Sequence, residues 1–144
     1  MTIARSIRVK HRNTGRKVFP IAPLFALYLP LNDRDAPNYF ISHQRDAVEL
    51  IKQVDRPNVK LQLDLYHAQI MDGDLSTLIQ DLAPFIGHIQ IASVPERHEP
   101  SEGEINYPHL FKVLDSAGYQ GWIGCEYNPR TTTEAGLGWV KPYR

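Results

Sequence analysis

Three apolar stretches of this chain each close on one oxygen-bearing side chain: LQLDLYH on Asp64, HIQIAS on Gln90 and WIGCEY on Glu126. A buried strand gains nothing by ending in an unpaired carboxylate or amide, since taking such a group out of water without a partner is costly. Two carboxylates and an amide oxygen form a hard donor set, better suited to Mg²⁺ or Mn²⁺ than to zinc. His67 follows Asp64 by three residues and is a candidate neighbour of the same site. Each residue has a plainer reading when taken alone. Asp64 could cap a loop, His67 could be a satisfied surface histidine, and Gln90 an edge-strand side chain. Gly124 marks either a bulge or a close approach of backbone or ligand. Recurrence in register is what joins the three. Cys125 points away from Glu126 if the strand alternates, and so belongs to the core.

The elements that must position these residues follow from the hydrophobic pattern. His43 to Val54 carries Ala47, Val48, Leu50, Ile51 and Val54 at helical spacing, and Arg56-Pro57-Asn58 stops that helix. Val59, Leu61, Leu63 and Leu65 alternate as a strand. Asp74 is placed to cap a helix bearing Leu75, Leu78, Ile79 and Leu82. His88 to Ser93 reads as a second strand, followed by a long polar loop from Val94 to Asn106. Pro108 suits a helix start, Leu110, Phe111, Val113 and Leu114 supply that helix's apolar face, and Gly118 suits its C-terminal end. Gly121 to Tyr127 is a third strand, with a Gly/Thr-rich tail beyond. Helices and strands that alternate predict an α/β fold with a parallel sheet. In such sheets, open or closed into a barrel, ligand sites lie at the C-terminal strand ends, where all three oxygen donors fall.

Composition bounds the function. At 144 residues, 42% hydrophobic and 22% charged, the chain is an ordinary globular one with no net formal charge, which gives no reason to expect nucleic-acid or membrane partners. A single cysteine excludes an internal disulfide and suits a reducing, cytoplasmic setting. Apolar residues from Val18 to Leu31 are interrupted by Pro20, Pro23 and Pro30, which excludes a spanning helix there. From Met1 to Asn32 there are six Lys or Arg and no acid. That stretch reads as a basic leader apart from the fold, with an organelle transit peptide as the alternative.

The segments LDLYHAQIMDGDL, GHIQIASVPERHEPSEGEINYPHLF and GYQGWIGCEYNPR resemble hydroxypyruvate isomerases and 2-oxo-tetronate isomerases, within the xylose isomerase-like TIM-barrel group. PLNDRDAPNYF is similar to the family's segment after its fifth strand. The resemblance runs from about Pro30 to Trp139. It implies a partial (β/α)8 barrel, about the C-terminal half, over residues 30–144, with a leader over residues 1–29. It also implies a divalent metal held at strand ends by a Glu, an Asp, a Gln and a second Glu, with Asp64, Gln90 and Glu126 matching the last three. His67 matches a histidine beside the substrate, and Arg97 a substrate-binding arginine. Glu126 would serve as one of two carboxylates that move a proton between adjacent carbons of a small hydroxy-oxo acid, interconverting hydroxypyruvate and 2-hydroxy-3-oxopropanoate. The alternatives are a 2-oxo-tetronate isomerase or related sugar isomerase or epimerase, and an inactive remnant or binding module of the same fold.

Two departures matter. The family's first Glu precedes Pro-Leu-Asn, and Leu29 stands there; leucine neither ligates a metal nor transfers a proton, so metal binding and activity are expected to suffer. A full barrel takes about 250 residues, so a truncated gene product is expected. A half-barrel would leave open strand edges and an apolar inner face, to be covered by a second copy or a complementing N-terminal half-barrel.

Overall fold

The structure, a computed structural model, describes residues 7–9 and 26–143. Five strands, β1 (Ile7–Val9), β2 (Ala26–Tyr28), β3 (Val59–Asp64), β4 (Ile86–Ile91) and β5 (Ile123–Cys125), form one parallel sheet in the order β1-β5-β4-β3-β2. The helices are α1 (Gln44–Val54), α2 (Leu65–Met71), α3 (Leu75–Leu82), α4 (Tyr107–Ser116) and α5 (Thr133–Gly136). Sequential parallel neighbours need a crossover between them, provided by α1 from β2 to β3, by α2 with α3 from β3 to β4, and by α4 from β4 to β5.

Side-chain alternation decides which face is covered. Leu61, Leu63, Ile89, Ile91 and Ile123 are fully buried on one side, packed with Val48 and Ile51 of α1, Leu78, Ile79 and Leu82 of α3, and Leu110, Phe111 and Leu114 of α4. Each such side chain contributes roughly 1.5–3 kcal/mol on burial. The opposite side carries Lys60, Gln62, Asp64, His88 and Gln90 at alternating positions of β3 and β4. The inner face is therefore mostly polar, not apolar as expected. Its large apolar exceptions are Leu27, 38% exposed, and Trp122, 50% exposed. The apolar residues of these strands are spent on the helix layer, which leaves polar ones for the barrel interior.

Several local expectations change. The basic stretch expected to stand apart contributes β1, with Ile7 opposite Ile123 and Val9 opposite Cys125, and β2, with Tyr28 opposite Leu61. The rest of Met1 to Phe25 lies outside the described residues. α2 has no counterpart in the hydrophobic pattern, because LYHAQIM buries Leu65, Tyr66, His67 and Ala68 in succession and offers no polar stripe to reveal a period. Asp74 does precede α3, but with φ at 41° its side chain makes no capping bond. A left-handed residue cannot present its carboxylate to the first-turn N–H groups as an extended one does. β4 starts two residues earlier than expected and ends at Ile91, because a register shift pairs Ile86 with Leu61 and His88 with Gln62. β5 is shorter than Gly121 to Tyr127, and the expected tail folds into α5 and a 3-10 turn, Leu137–Tyr143.

Candidate functional site

Register brings the three donors to one rim. Asp64 lies opposite Gln90, and Gln90 opposite Gly124. Glu126 sits one residue past β5, where its N–H donates to the Ile91 carbonyl at 3.1 Å. Gln90 is the hub. Its Nε2 donates to Glu126 Oε2, while its Oε1 accepts from Gln62 Nε2. A Cβ on Gly124 would come within 3.0 Å of His88 Nε2 and 3.6 Å of Gln90 Cγ, so this glycine marks a close approach of side chains on the inner face.

Asp64 is buried, 1% exposed, as the N-cap of α2, with Oδ1 accepting the Tyr66 N–H at 2.9 Å. Its other oxygen, Oδ2, lies 3.9 Å from His67 Nε2 and 3.9 Å from Arg97 Nη2. The same Arg97 nitrogen is 3.8 Å from Glu126 Oε1, and Nη1 is 3.6 Å from Asp35 Oδ2. The guanidinium stacks over the Tyr66 ring, 4.8 Å from its centroid. Its backbone is held at φ 58°, between its own N–H bonded to the Ser93 carbonyl and its carbonyl bonded to Asn128 N–H. Asp64, His67, Gln90, Arg97 and Glu126 therefore meet. Cys125 is buried on the other face, and burial pushes its thiol up to about 12.

Three members had no signal of their own in the residue pattern. Asn32, fully buried, donates its backbone N–H to His67 Nδ1 at 3.0 Å, and its side chain holds the Asp35 N–H. Asp35 faces Arg97, and Tyr66 carries it. Asn32 and Asp35 belong to the PLNDRD segment that carries part of the resemblance, and this is the trace the sequence leaves of them.

The loop that bears Arg97 is closed by Gly103. Its φ is 79°, and a Cβ there would stand 2.3 Å from the Val94 carbonyl oxygen. Gly103→Ala should destabilise this loop by about 1–3 kcal/mol from the left-handed backbone alone, with the clash added. Faster amide exchange between Val94 and Asn106 is the expected reading; unchanged exchange would show that the loop is not pinned there.

Two buried groups titrate in opposite senses. Burial raises the Asp64 carboxyl from 3.8 to about 6, against the pull of the Tyr66 N–H and Arg97. The fold thus keeps a proton that the unfolded chain has released, and stability is lost as pH rises from about 4 to 6. Burial, with Arg97, lowers His67 from 6.5 to about 4. The fold holds that ring neutral while the unfolded chain protonates it, so stability is lost as pH falls across nearly the same interval. The two slopes oppose each other. His67→Gln should leave the Asp64 slope alone, a loss of about 2–3 kcal/mol from pH 4 to 6. Asp64→Asn should reverse its sign. Urea midpoints across that range check both, and equal slopes in the two variants would contradict the assignment.

The family can now be read from comparison. Residues 28–143 match the family described as "Xylose isomerase-like TIM barrel". The chain belongs to that family. It is 56% identical over 114 residues to a 2-oxo-tetronate isomerase of Cupriavidus necator, a match covering 79% of this chain and 44% of that protein. It is 49% identical over 121 residues to the hydroxypyruvate isomerase of Escherichia coli, covering 84% and 47% respectively. A crystal structure from Brucella melitensis described as an AP endonuclease, family 2, superposes with a TM-score of 0.82 at 64% identity, over 83% of this chain and 46% of that one. A 3-keto-D-glucoside 4-epimerase from E. coli follows at TM-score 0.70 and 28% identity, over 79% and 44%. The chain thus spans about half the length of the relatives it matches, and its sheet is part of the family's barrel. Among the described residues no helix is long and apolar enough to cross a membrane.

Whether the divalent metal implied by the resemblance suits this site is decided by donor chemistry. Among the described residues no group of three or more His, Cys, Asp or Glu could hold an ion. Asp64 and Glu126 are the two carboxylates at the rim, and Gln90 is the amide between them. All carry hard oxygen donors; a guanidinium nitrogen of Arg97 now lies within 4 Å of both carboxylates and the Gln90 oxygen accepts from Gln62, so an ion would compete with these partners. By donor type alone, two carboxylates and an amide oxygen are suited to a hard divalent cation. Leu29, just past β2 and level with Gln62 when the pairing of Tyr28 with Leu61 is extended by one residue, adds no donor.

Proposed function

We propose that this chain is the C-terminal part of an isomerase acting on short hydroxy-oxo acids, hydroxypyruvate in the first instance, and that its activity is weakened by Leu29. The observation that carries the reading is the meeting of Asp64, Gln90 and Glu126 with Arg97 and His67 at one strand-end rim. Relatives named for isomerisation of this substrate class support it.

Each residue has a task that its surroundings permit. Arg97, partly exposed and held by Asp35 and Tyr66, offers two parallel N–H groups to a substrate carboxylate. His67 points Nε2 into the site, buried and without a hydrogen-bond partner, where a substrate oxygen would supply one. Glu126, with its side chain 45% exposed, can reach a substrate carbon and carry the proton from one carbon to the next. A divalent cation held by Asp64, Gln90 and Glu126 would polarise the substrate carbonyl. Completion of the barrel by N-terminal strands, from the same polypeptide, a complementing half or a second copy, is part of the proposal.

The test is turnover of hydroxypyruvate by the purified chain, followed by proton NMR with Mg²⁺ or Mn²⁺ present. Formation of 2-hydroxy-3-oxopropanoate is expected, and its absence under both ions would overturn the enzyme reading in favour of an inactive fold, which Leu29 favours. A 2-oxo-tetronate is the second substrate to assay, since relatives of that name are 52–58% identical against 46–49% for those named hydroxypyruvate isomerase or putative hydroxypyruvate isomerase. If Gln90→His improved activity toward free ketoses, the acid substrate would lose ground to a sugar.

A further inference from the structure

The PLNDRD turn does something that neither the family's ligand set nor its named activities describe. Asn32 directs two N–H groups at a single atom, His67 Nδ1: its backbone N–H at 3.0 Å and its side-chain Nδ2 at 2.6 Å. A backbone N–H can only donate, so Nδ1 must accept, and in the neutral ring the proton is left on Nε2. The orientation of the Asn32 amide is fixed independently, because its Oδ1 accepts the Asp35 N–H at 2.8 Å and its Nδ2 also reaches Asp35 Oδ2 at 3.3 Å. Asn32 is fully buried, so water does not compete for these bonds. On the other side of the ring Nε2 has no hydrogen-bond partner, and the nearest carboxylate oxygen, Asp64 Oδ2, is 3.9 Å away.

We infer that Asn32 is a positioning residue that locks His67 in its Nε2–H tautomer, so that His67 serves the site as a fixed hydrogen-bond donor to a substrate oxygen and neither as a base nor as a metal ligand. Through Asp35, which faces Arg97 at 3.6 Å, the same turn sets the second substrate-facing group. One four-residue segment thus orients both the donor for a substrate oxygen and the cation for a substrate carboxylate. This rests on the reading of His67 as substrate-facing, but the lock itself exists in the resting chain and can be measured without turnover.

The experiment is a long-range proton–nitrogen correlation spectrum of the ¹⁵N-labelled full chain at pH 7.5, with His67 assigned by its loss in His67→Gln. Nδ1 is expected to resonate as an unprotonated nitrogen and Nε2 as a protonated one, without the averaging of a free imidazole. In Asn32→Asp a carboxylate replaces the second donor and competes with the retained backbone N–H for Nδ1, moving the Nδ1 resonance toward the protonated range. A protonated or averaged Nδ1 in the unsubstituted chain would overturn the inference, and that spectrum decides even if the variant fails to fold. An unchanged Nδ1 in a folded Asn32→Asp would overturn the side chain's part in the lock and leave it to the backbone N–H, which the variant retains. Failure of the isomerase assay would leave the tautomer result standing, so the two readings fail separately.

Discussion

Leu29→Glu is expected to raise metal-dependent isomerisation of hydroxypyruvate by about 10²–10⁴-fold, the usual worth of one proton-transfer group. The reasoning is positional. Leu27, two residues earlier, contacts the inner face, since its Cδ2 lies 3.1 Å from where a Cβ on Gly87 would stand, beside the Lys60 side chain. Alternation then turns Leu29 to the same face, just past the end of β2, at the level of Gln62. Gln62 in turn bonds Gln90, the hub of the site. A carboxylate at residue 29 would join Asp64 and Glu126 on one rim, supplying both a further cation ligand and a second proton carrier opposite Glu126. Steady-state kinetics with Mn²⁺ measure the gain. A variant that folds and turns over no faster than the parent would show that residue 29 is not the missing corner.

Glu126→Gln is expected to cost about 10²–10⁴-fold in kcat, measured in the Leu29→Glu background where turnover is largest. The amide keeps the length of the side chain and can still bond Gln90, so the rim should hold its shape. What it lacks is a site for a proton. Arg97 would lose one of its two rim carboxylate neighbours but retain Asp35 and the Tyr66 face, so KM should move far less than kcat. A rise in KM with kcat intact would assign Glu126 to binding and return the proton transfer to another group.

The parts of this protein that could be read from its residues are those where a local pattern breaks. Asp64, Gln90 and Glu126 interrupt apolar alternation, and the sheet places all three at one rim. α1, α3 and α4 carry polar stripes that betray their period, whereas α2 is buried in succession and betrays nothing. Asn32 acts on a histidine 35 residues away, a pairing that no local spacing records. Tyr66 and Asp35 are likewise defined by Arg97, which the long loop delivers from another part of the chain. The inner face departs from the apolar one expected because strands rich in leucine and isoleucine suggest apolar surfaces on both sides, while here alternation sends nearly all of it to the helices.

We propose that Asp64, Gln90 and Glu126 together hold a divalent cation. Calorimetric titration with Mn²⁺ at pH 7.5 tests it most directly. One ion per chain is predicted, bound more tightly by at least tenfold in Leu29→Glu and lost in Asp64→Asn. Binding that is absent in both the parent and Leu29→Glu, or identical in the parent and Asp64→Asn, would contradict the account.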